Sequence, residues 1–223
     1  MRVNFAEQIV TRRLICRPYR AAFVPTYHAW MQDPWLRAQT SSDELTLEEE
    51  YAAQRRWVDD DDKLTFIFFE ASLVAAAACG APSAAPASAR ASTVGMAGDA
   101  NLFILDERRT RDEYWGGAGD GRVAEVMVMV GEPTARRQGF AREAVSALLR
   151  YGAERLGIRG FIVKISEENV ASIALFSQLG FRHVKKVAAF KEDHFIRDWV
   201  AEDFTGPYDV RADEPGEDED VRP

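Results

Sequence analysis

Residues 125–156 constrain the fold of this chain more than any other stretch. They read EVMVMV, then GEPTARRQGFA, then REAVSALLRYGAERL. A run of strand composition feeds a loop holding Pro133, Arg136, Arg137, Gln138 and Gly139, and the loop opens straight into an amphipathic helix. That order sets backbone N–H groups and the positive end of a helix dipole beside two arginines, a place that favours an anion, most naturally a phosphate. The loop has neither the GxxxxGK[ST] of a triphosphate P-loop nor the GxGxxG of a dinucleotide fold. What remains is Arg136-x-x-Gly139-x-Ala141, whose small residues let the backbone come close to the anion.

The flanking sequence supplies the rest of a sheet. Residues 9–19 alternate as a first strand, and residues 20–31 shift to helical spacing with Phe23, Tyr27, Trp30 and Met31 on one side. Pro25 fits there only in the first turn, and Asp33-Pro34 ends the element. Thr46-Leu47-Glu48-Glu49 is a capping box, so a helix is expected from Thr46 to about Trp57 with Leu47, Tyr51, Gln54 and Val58 along one face. The four acids at 59–62 read as a solvated turn and not as a metal site, because neighbouring carboxylates on a turn diverge and repel. Residues 63–70 (KLTFIFFE) are apolar on both sides and read as a central strand. Residues 75–92 are built almost wholly from Ala, Ser, Pro and Gly: the first part can continue as a helix, and the part with Pro82 and Pro86 reads as a mobile surface loop.

Residues 93–105 return to strand character. The polar, glycine-rich stretch 106–121 reads as a long hairpin loop, with Tyr114 and Trp115 serving either as a lid or as a folded-back anchor. After the focal stretch come a strand at 159–166, a helix at 169–179 with Ile173, Phe176 and Leu179 on one face, and Gly180 as its left-handed cap. Strands near 181–191 and 194–200 follow. His183 and His194 fall on these last strands, where a lone histidine is more often structural than catalytic. The sum is an α/β (α+β) sheet protein with βαβ-like alternation from Glu125 on.

Charge looks at first like a clue to partners. The formal net charge is -8, but residues 201–223 hold nine acids against Arg211 and Arg222, so the body is close to neutral. The tail reads as too acidic and too poor in large apolar residues to order itself. No basic stripe of the kind a nucleic-acid binder carries is visible. Cys16 and Cys79 have no metal spacing and read as free, packed thiols. The start lacks the pattern of a secretory signal, and no apolar run approaches the roughly 20 residues that span a bilayer. The expectation is a cytoplasmic protein without a membrane partner, one domain over residues 1–200 and a tail.

About 30 residues after the anion loop, Asn169-x-x-Ser172-x-x-Leu175-Phe176 precedes Leu179-Gly180-Phe181. Together with Arg136-x-x-Gly139-x-Ala141 and the order strand, loop, helix, strand, helix, strand, this resembles the GNAT superfamily of acetyl-CoA-dependent N-acetyltransferases. Further segments are similar to the N-acetyltransferase 9 family, described as acetylating the N-terminal amines of α- and β-tubulin. They are residues 24–31 (VPTYHAWM), 45–51 (LTLEEEY), 62–67 (DKLTFI), 98–103 (GDANLF) and 125–127 (EVM). The resemblance covers most of residues 1–200. It departs from the family in the longer stretches at 75–92 and 106–121, which both could border the substrate cleft.

The resemblance implies a GNAT fold, a mixed central sheet of about seven strands with helices on both faces. It implies acetyl-CoA as cosubstrate, entering between the strand of Glu125 and the strand after Arg159, with no metal. Backbone N–H groups around Met129, Val130 and Gly131 would polarise the thioester carbonyl. Arg136, Arg137, Gln138, Gly139, Phe140 and Ala141 would hold the pyrophosphate, and Asn169, Ser172 and Phe176 would line the pantetheine arm, Asn169 also serving as a helix cap. Glu125 is the candidate base, directly or through water. Phe176 stands where many GNAT enzymes have a proton-donating tyrosine, and it cannot donate. The implied acceptor is a protein N-terminal amine, that of tubulin. A lysine, another N-terminus, a small polyamine, or an acyl-CoA-binding or microtubule-associated module without turnover stay open, as does the oligomeric state.

Overall fold

The computed structural model describes residues 3–80, 93–201 and 206–213. Nine strands form one sheet in the order β7-β8-β6-β5-β4-β3-β2-β1-β9. They are β1 (Glu7–Thr11), β2 (Leu14–Pro18), β3 (Lys63–Glu70), β4 (Met96–Leu105), β5 (Arg122–Met129), β6 (Ile158–Ser166), β7 (Arg182–Val187), β8 (Glu192–Asp198) and β9 (Tyr208–Ala212). Among the described residues seven helices accompany them: α1 (Val24–Met31), α2 (Pro34–Thr40), α3 (Leu47–Asp59), α4 (Ala71–Gly80), α5 (Glu107–Trp115), α6 (Phe140–Leu156) and α7 (Val170–Gln178). Among the described residues only β5 and β6 pair in parallel. The expected seven strands become nine for two local reasons, the splitting of the first strand and the addition of β9.

Alternation along the central strands sorts the core into two faces. Phe66 and Phe68 of β3 join Leu102 of β4, Val126 of β5, and Val145, Leu148 and Leu149 of α6 on one face, with Phe176 of α7. Ile67 and Phe69 point the other way, into Phe23, Tyr27, Trp30 and Met31. Each strand that is apolar on both sides is thus covered on both sides, as β3 was expected to be.

The capping box of Thr46 and Glu49 is present. The buried face of α3 is the expected one only in part: Gln54 is buried and Tyr51 and Val58 are half-buried, but Glu50 and Ala53 join them and Leu47 is exposed. Gln54 turns inward because its amide donates to the Tyr19 carbonyl at 2.9 Å. Asp33 caps α2 by accepting from the Trp35 amide at 2.9 Å, so Asp33-Pro34 both ends α1 and starts the next helix. The acids at 59–62 finish α3 and form the turn into β3, and no metal-binding group occurs among the described residues. Cys16 is buried, which pushes its thiol up to about 12, whereas Cys79 is exposed on α4 and not packed. The Pro82 and Pro86 segment lies outside the described residues.

Three expectations fail, each for a visible reason. Residues 9–19 are not one strand but the hairpin β1–β2, registered Ile9↔Cys16 and Val10↔Ile15; its Arg12-Arg13 link has no glycine or proline to mark a turn. Residues 106–121 are not a hairpin loop. Asp106 accepts from the Arg109 amide at 2.7 Å and starts α5, which Gly116 closes at φ 62°. The helix was hidden because it buries Thr110 and Arg111 in place of an apolar stripe. Tyr114 and Trp115 are anchors: the Trp115 indole donates to Asp198 at 2.9 Å, and its ring lies against Gly160.

The third failure concerns residues 206–213 of the expected tail. Residues 208–212 add to β1 as the edge strand β9, from Glu7↔Ala212 to Thr11↔Tyr208. Tyr208 and Val210 pack partly against the core, so alternation outweighs the acidic composition. Arg20 and Asp213 lock the end with a 2.6 Å ion pair, both side chains buried. Removing one partner of a buried pair leaves the other charge uncompensated. Asp213→Ala is therefore expected to lower the free energy of unfolding by about 3 kcal/mol. Chemical denaturation checks it, and a loss under about 0.5 kcal/mol, the scale of an ordinary surface change, would contradict the structural role of the tail.

Candidate active site

A fork in the sheet organises the site. β5 stays registered with β4 as far as Asp99↔Met129. Its pairing with β6 ends at Glu125↔Ile162, while β6 continues against β8 to Ser166↔Glu192. Beyond Glu125 the two parallel strands therefore part. Gly98 helps draw β5 towards β4, since a Cβ there would sit 2.0 Å from the Met129 carbonyl oxygen. Just past the strand, the Glu132 amide donates to the Ala97 carbonyl at 3.1 Å. Gly131 then lets Trp30 lie directly on the backbone, where any side chain would collide with the indole. Glu125 does not head β5 as expected; it is the fourth residue and stands at the apex of the fork.

The loop after β5 is built by its own side chains. Glu132 caps the short turn Pro133–Ala135, accepting from the Thr134 amide and hydroxyl at 3.2 and 2.8 Å. Arg136 folds back: it donates to the Val130 and Gly131 carbonyls at 3.1 and 3.2 Å, lies over the Trp35 ring and approaches Asp33 at 4.0 Å. Its guanidinium braces the loop. Gln138 donates to the Thr134 carbonyl at 2.6 Å. Arg137 and Gly139 both have positive φ, 63° and 81°, the left-handed backbone from which anion-binding nests are built.

Gly139 is the N-cap of α6 and makes no side-chain cap, so the first amides of a 17-residue helix have no intrahelical acceptor. The amides of Phe140 and Ala141 with the dipole behind them form a positive seat. The acid in that turn, Glu143, is turned aside. It accepts from the Thr11 hydroxyl, the Arg13 amide and the Arg13 side chain at 2.7–2.8 Å. Burial pushes its carboxyl up, but the hydrogen bonds from Thr11 and Arg13 outweigh that and hold it below the usual range.

Asn169 caps α7, its side chain accepting from the Ser172 amide at 3.1 Å, at the end of β6 beyond the fork. Phe176 departs from its expected place along the arm. It is only 2% exposed and packs edge-on against Phe181 at 5.1 Å, because it shares with Leu179 the helix face that meets the core.

Glu125 is paired at the apex with Lys164 of β6, at 2.5 Å. Burial pushes the Lys164 ammonium down, but the bond to Glu125 outweighs it and the net shift is upward. Beside them the Tyr114 hydroxyl meets His194 Nδ1 at 2.8 Å, and His194 Nε2 lies 3.3 Å from Glu192. Burial holds His194 below its usual range. His183 is instead exposed and pairs with Asp193 at 2.8 Å. The sequence reading missed Lys164 and the buried polar residues Asp99 and Asn101; the one signal for the latter was two polar residues at period two inside the apolar run of β4.

A family model described as Acetyltransferase (GNAT) domain matches residues 13–182. An N-acetyltransferase 9-like protein of Caenorhabditis briggsae is 37% identical over 193 residues, 86% of each chain. The alpha/beta-tubulin-N-acetyltransferase 9 of Homo sapiens is 36% identical over 193 residues, 86% of this chain and 83% of its own. Among solved structures, spermidine N-acetyltransferase from Vibrio cholerae in complex with CoA and spermine superposes with a TM-score of 0.61 at 13% identity, covering 83% of this chain and 95% of that one. A ribosomal L7/L12 alpha-N-protein acetyltransferase in complex with coenzyme A gives 0.59 at 16% identity, covering 85% and 96%.

The bracing role of Arg136 is open to test. Arg136→Ala removes two hydrogen bonds from a charged donor to loop carbonyls, expected to cost about 2 kcal/mol at this half-buried position. Thermal unfolding of the variant measures it, and an unchanged midpoint would mean that the loop holds without the side chain.

Proposed function

The chain belongs to the GNAT acetyltransferase family and is an acetyl-CoA-dependent N-acetyltransferase, and on that premise we propose that its acceptor is the N-terminal amine of a protein, tubulin in the first place. The observation that carries the site assignment is the parting of β5 from β6 in front of the uncapped start of α6. The names of its relatives support tubulin as acceptor. No helix among the described residues is long and apolar enough to cross a membrane, which is compatible with a cytoplasmic substrate.

The residues present fit coenzyme A. In this assignment Arg136, Arg137, Gln138, Gly139, Phe140 and Ala141 supply the pyrophosphate seat through their backbone, with Arg136 bracing the loop. Met129, Val130 and Gly131 edge the gap, where β5 has left β6 and its amides can meet a carbonyl oxygen. Asn169 and Ser172 stand where β6 enters α7, on the arm's side of the gap. Phe176 supports that helix from beneath. The thioester supplies an activated acetyl group, and the protein supplies position, polarisation and a place for the proton.

The amine must be neutral when it attacks. A chain-terminal amine has a reference pKa of about 7.7–8.0, within reach of neutral pH without strong help. Glu125 is the proposed proton acceptor. It lies four residues before Met129, about 13 Å along an extended strand, so it acts through water. Lys164 beside it holds the carboxylate in place through their 2.5 Å ion pair.

Incubation with acetyl-CoA and peptides carrying the tubulin N-termini, with free thiol followed over time, tests the activity. Turnover on these peptides is expected, and turnover on lysine peptides or polyamines in their place would reassign the acceptor. Glu125→Gln should lower kcat by about 100-fold, the lower range for lost general base catalysis, with CoA affinity unchanged. Ala141→Glu should weaken CoA binding at least tenfold with little change in stability, because a carboxylate suits the first turn but repels the pyrophosphate. Equal CoA affinity in that variant would remove the pyrophosphate from α6.

A further inference from the structure

Segments far apart in the chain meet at one buried polar cluster that the mechanism above does not use. Asp99 and Asn101 of β4, Lys63 and Thr65 of β3, Tyr27 of α1, Glu50 of α3 and Tyr19 before α1 form it, on the sheet face opposite α6. All seven are buried. Within the cluster the bonds run in one direction. The Thr65 hydroxyl donates to Asn101 Oδ1 at 2.6 Å, and Asn101 Nδ2 donates to Asp99 Oδ2 at 2.6 Å. Two atoms are left over. Asp99 Oδ1 and the Tyr19 hydroxyl are buried and have no hydrogen-bond partner among the described residues. Both residues are 3% exposed.

The position of Asp99 gives these atoms a direction. Asp99 is the register partner of Met129, the β5 residue proposed to edge the gap, so the carboxyl lies one strand spacing, about 4.8 Å of backbone, from the reaction floor. Met129 is buried in the cluster of apolar residues with Tyr19, Tyr27 and Trp30, so it faces the same side. Glu125 is farther from Met129 than Asp99 is, and is already engaged by Lys164.

Charge selects the ligand. Asp99 faces Lys63, and burial of Lys63 draws its ammonium down to about 7 against the pull of Asp99 and Asp60. Burial likewise raises Glu50, and His28 opposes it. Desolvation raises Asp99 to about 6, the Asn101 hydrogen bond and Lys63 acting against it. The carboxyl of Asp99 thus faces a lysine weakened by burial, and its free Oδ1 is an acceptor to offer. An anion would be repelled, and a neutral hydroxyl would bring donors without a charge. A primary amine, with two or three N–H donors and a positive charge when protonated, satisfies both oxygens.

Resting on the acetyltransferase reading above, we propose that Asp99 and Tyr19 are the seat of the acceptor's terminal amine, a primary amine at the end of a peptide, with Tyr27 and Glu50 completing its polar wall. Asp99 Oδ1 and the Tyr19 hydroxyl hold the amine beside Met129, and Glu125 receives the proton through water. Tyr27 and Trp57 pack on the Tyr19 ring at 5.2 and 5.7 Å, so seating the amine moves these rings and changes the emission of Trp57.

The test compares wild type with Asp99→Asn and Tyr19→Phe in the full chain. For Asp99→Asn the expected result is at least a tenfold rise in KM for the acceptor peptide with CoA affinity, measured by calorimetry, unchanged. For Tyr19→Phe, which removes one oxygen from a buried ring, a threefold or larger rise is expected. In wild type the acceptor KM should rise as pH falls through about 6 and Asp99 becomes neutral; that limb should be absent from Asp99→Asn, which a merely structural role would not move. Peptide added to wild type without acetyl-CoA should change tryptophan emission, and Trp57→Phe should abolish the change. Turnover of the peptide with acceptor KM equal in all three proteins overturns the amine seat and leaves the acetyltransferase assignment standing. If Asp99→Asn does not fold, Tyr19→Phe decides alone by the same criterion. A wild type that binds CoA but acetylates no terminal amine overturns the acceptor assignment, and the seat with it.

Discussion

Everything specific to this fold follows from the failure of two parallel strands to stay paired. β5 and β6 are hydrogen-bonded from Arg122 to Glu125, and past that point each keeps its other neighbour. The separation is held open from both sides. On the β5 side, the close approach at Gly98, the tie of Glu132 to Ala97 and the weight of Trp30 on Gly131 leave the strand no freedom to swing back. On the β6 side, Lys164, Ile165 and Ser166 remain registered with β8. Parallel pairs in a sheet are ordinarily buried and continuous. A gap between them exposes backbone groups where the surrounding core is dry, and in the proposed assignment these amides hold the acyl group.

Electrostatics then decides what the gap is open to. The start of α6 is positive and uncapped, and the one acid in its first turn is engaged by Thr11 and Arg13 of the β1–β2 turn. The side chain of Arg136 spends its hydrogen bonds on the loop's own carbonyls, so in the proposed assignment the anion meets backbone and dipole more than guanidinium. On the opposite face of the sheet the balance is reversed. There Asp99, Glu50 and two tyrosines collect beneath α1 and α3, and the lysine among them is weakened by burial. In the proposed assignment the phosphate of the cosubstrate and the amine of the acceptor are drawn to different ends of one site, and they meet at the backbone of β5 around Met129.

The sequence made the middle of the molecule legible and its margins less so. β3, β4 and the span from β5 through α7 were readable because their patterns were imposed by one requirement at a time: apolar on both faces for Phe66 to Phe69, a small residue for close approach at Gly139, a left-handed cap at Gly180. The capping box at Thr46 was readable for the same reason. α5 was not, because its stabilising contacts are polar and remote: Arg111 reaching three carbonyls, Trp115 reaching Asp198. β9 was not, because an edge strand is held by backbone pairing with β1 and by the Arg20–Asp213 pair, 193 residues apart in sequence. In the site, the loop and Asn169 were foreseeable from local spacing. The burial of Phe176 and the pairing of Glu125 with Lys164 depend on which strands become neighbours, and no local pattern records that.

The central claim is that the gap between β5 and β6, together with the start of α6, is where coenzyme A is held. Backbone amide NMR of the isotope-labelled chain, titrated with coenzyme A, addresses it without relying on turnover. The account predicts the largest shifts at Met129, Val130, Gly131, Gly139, Phe140 and Ala141, with smaller ones at Asn169 and Ser172 and little change in β1, β2 and β9. Saturable binding whose shifts fall elsewhere and spare the start of α6 would contradict it.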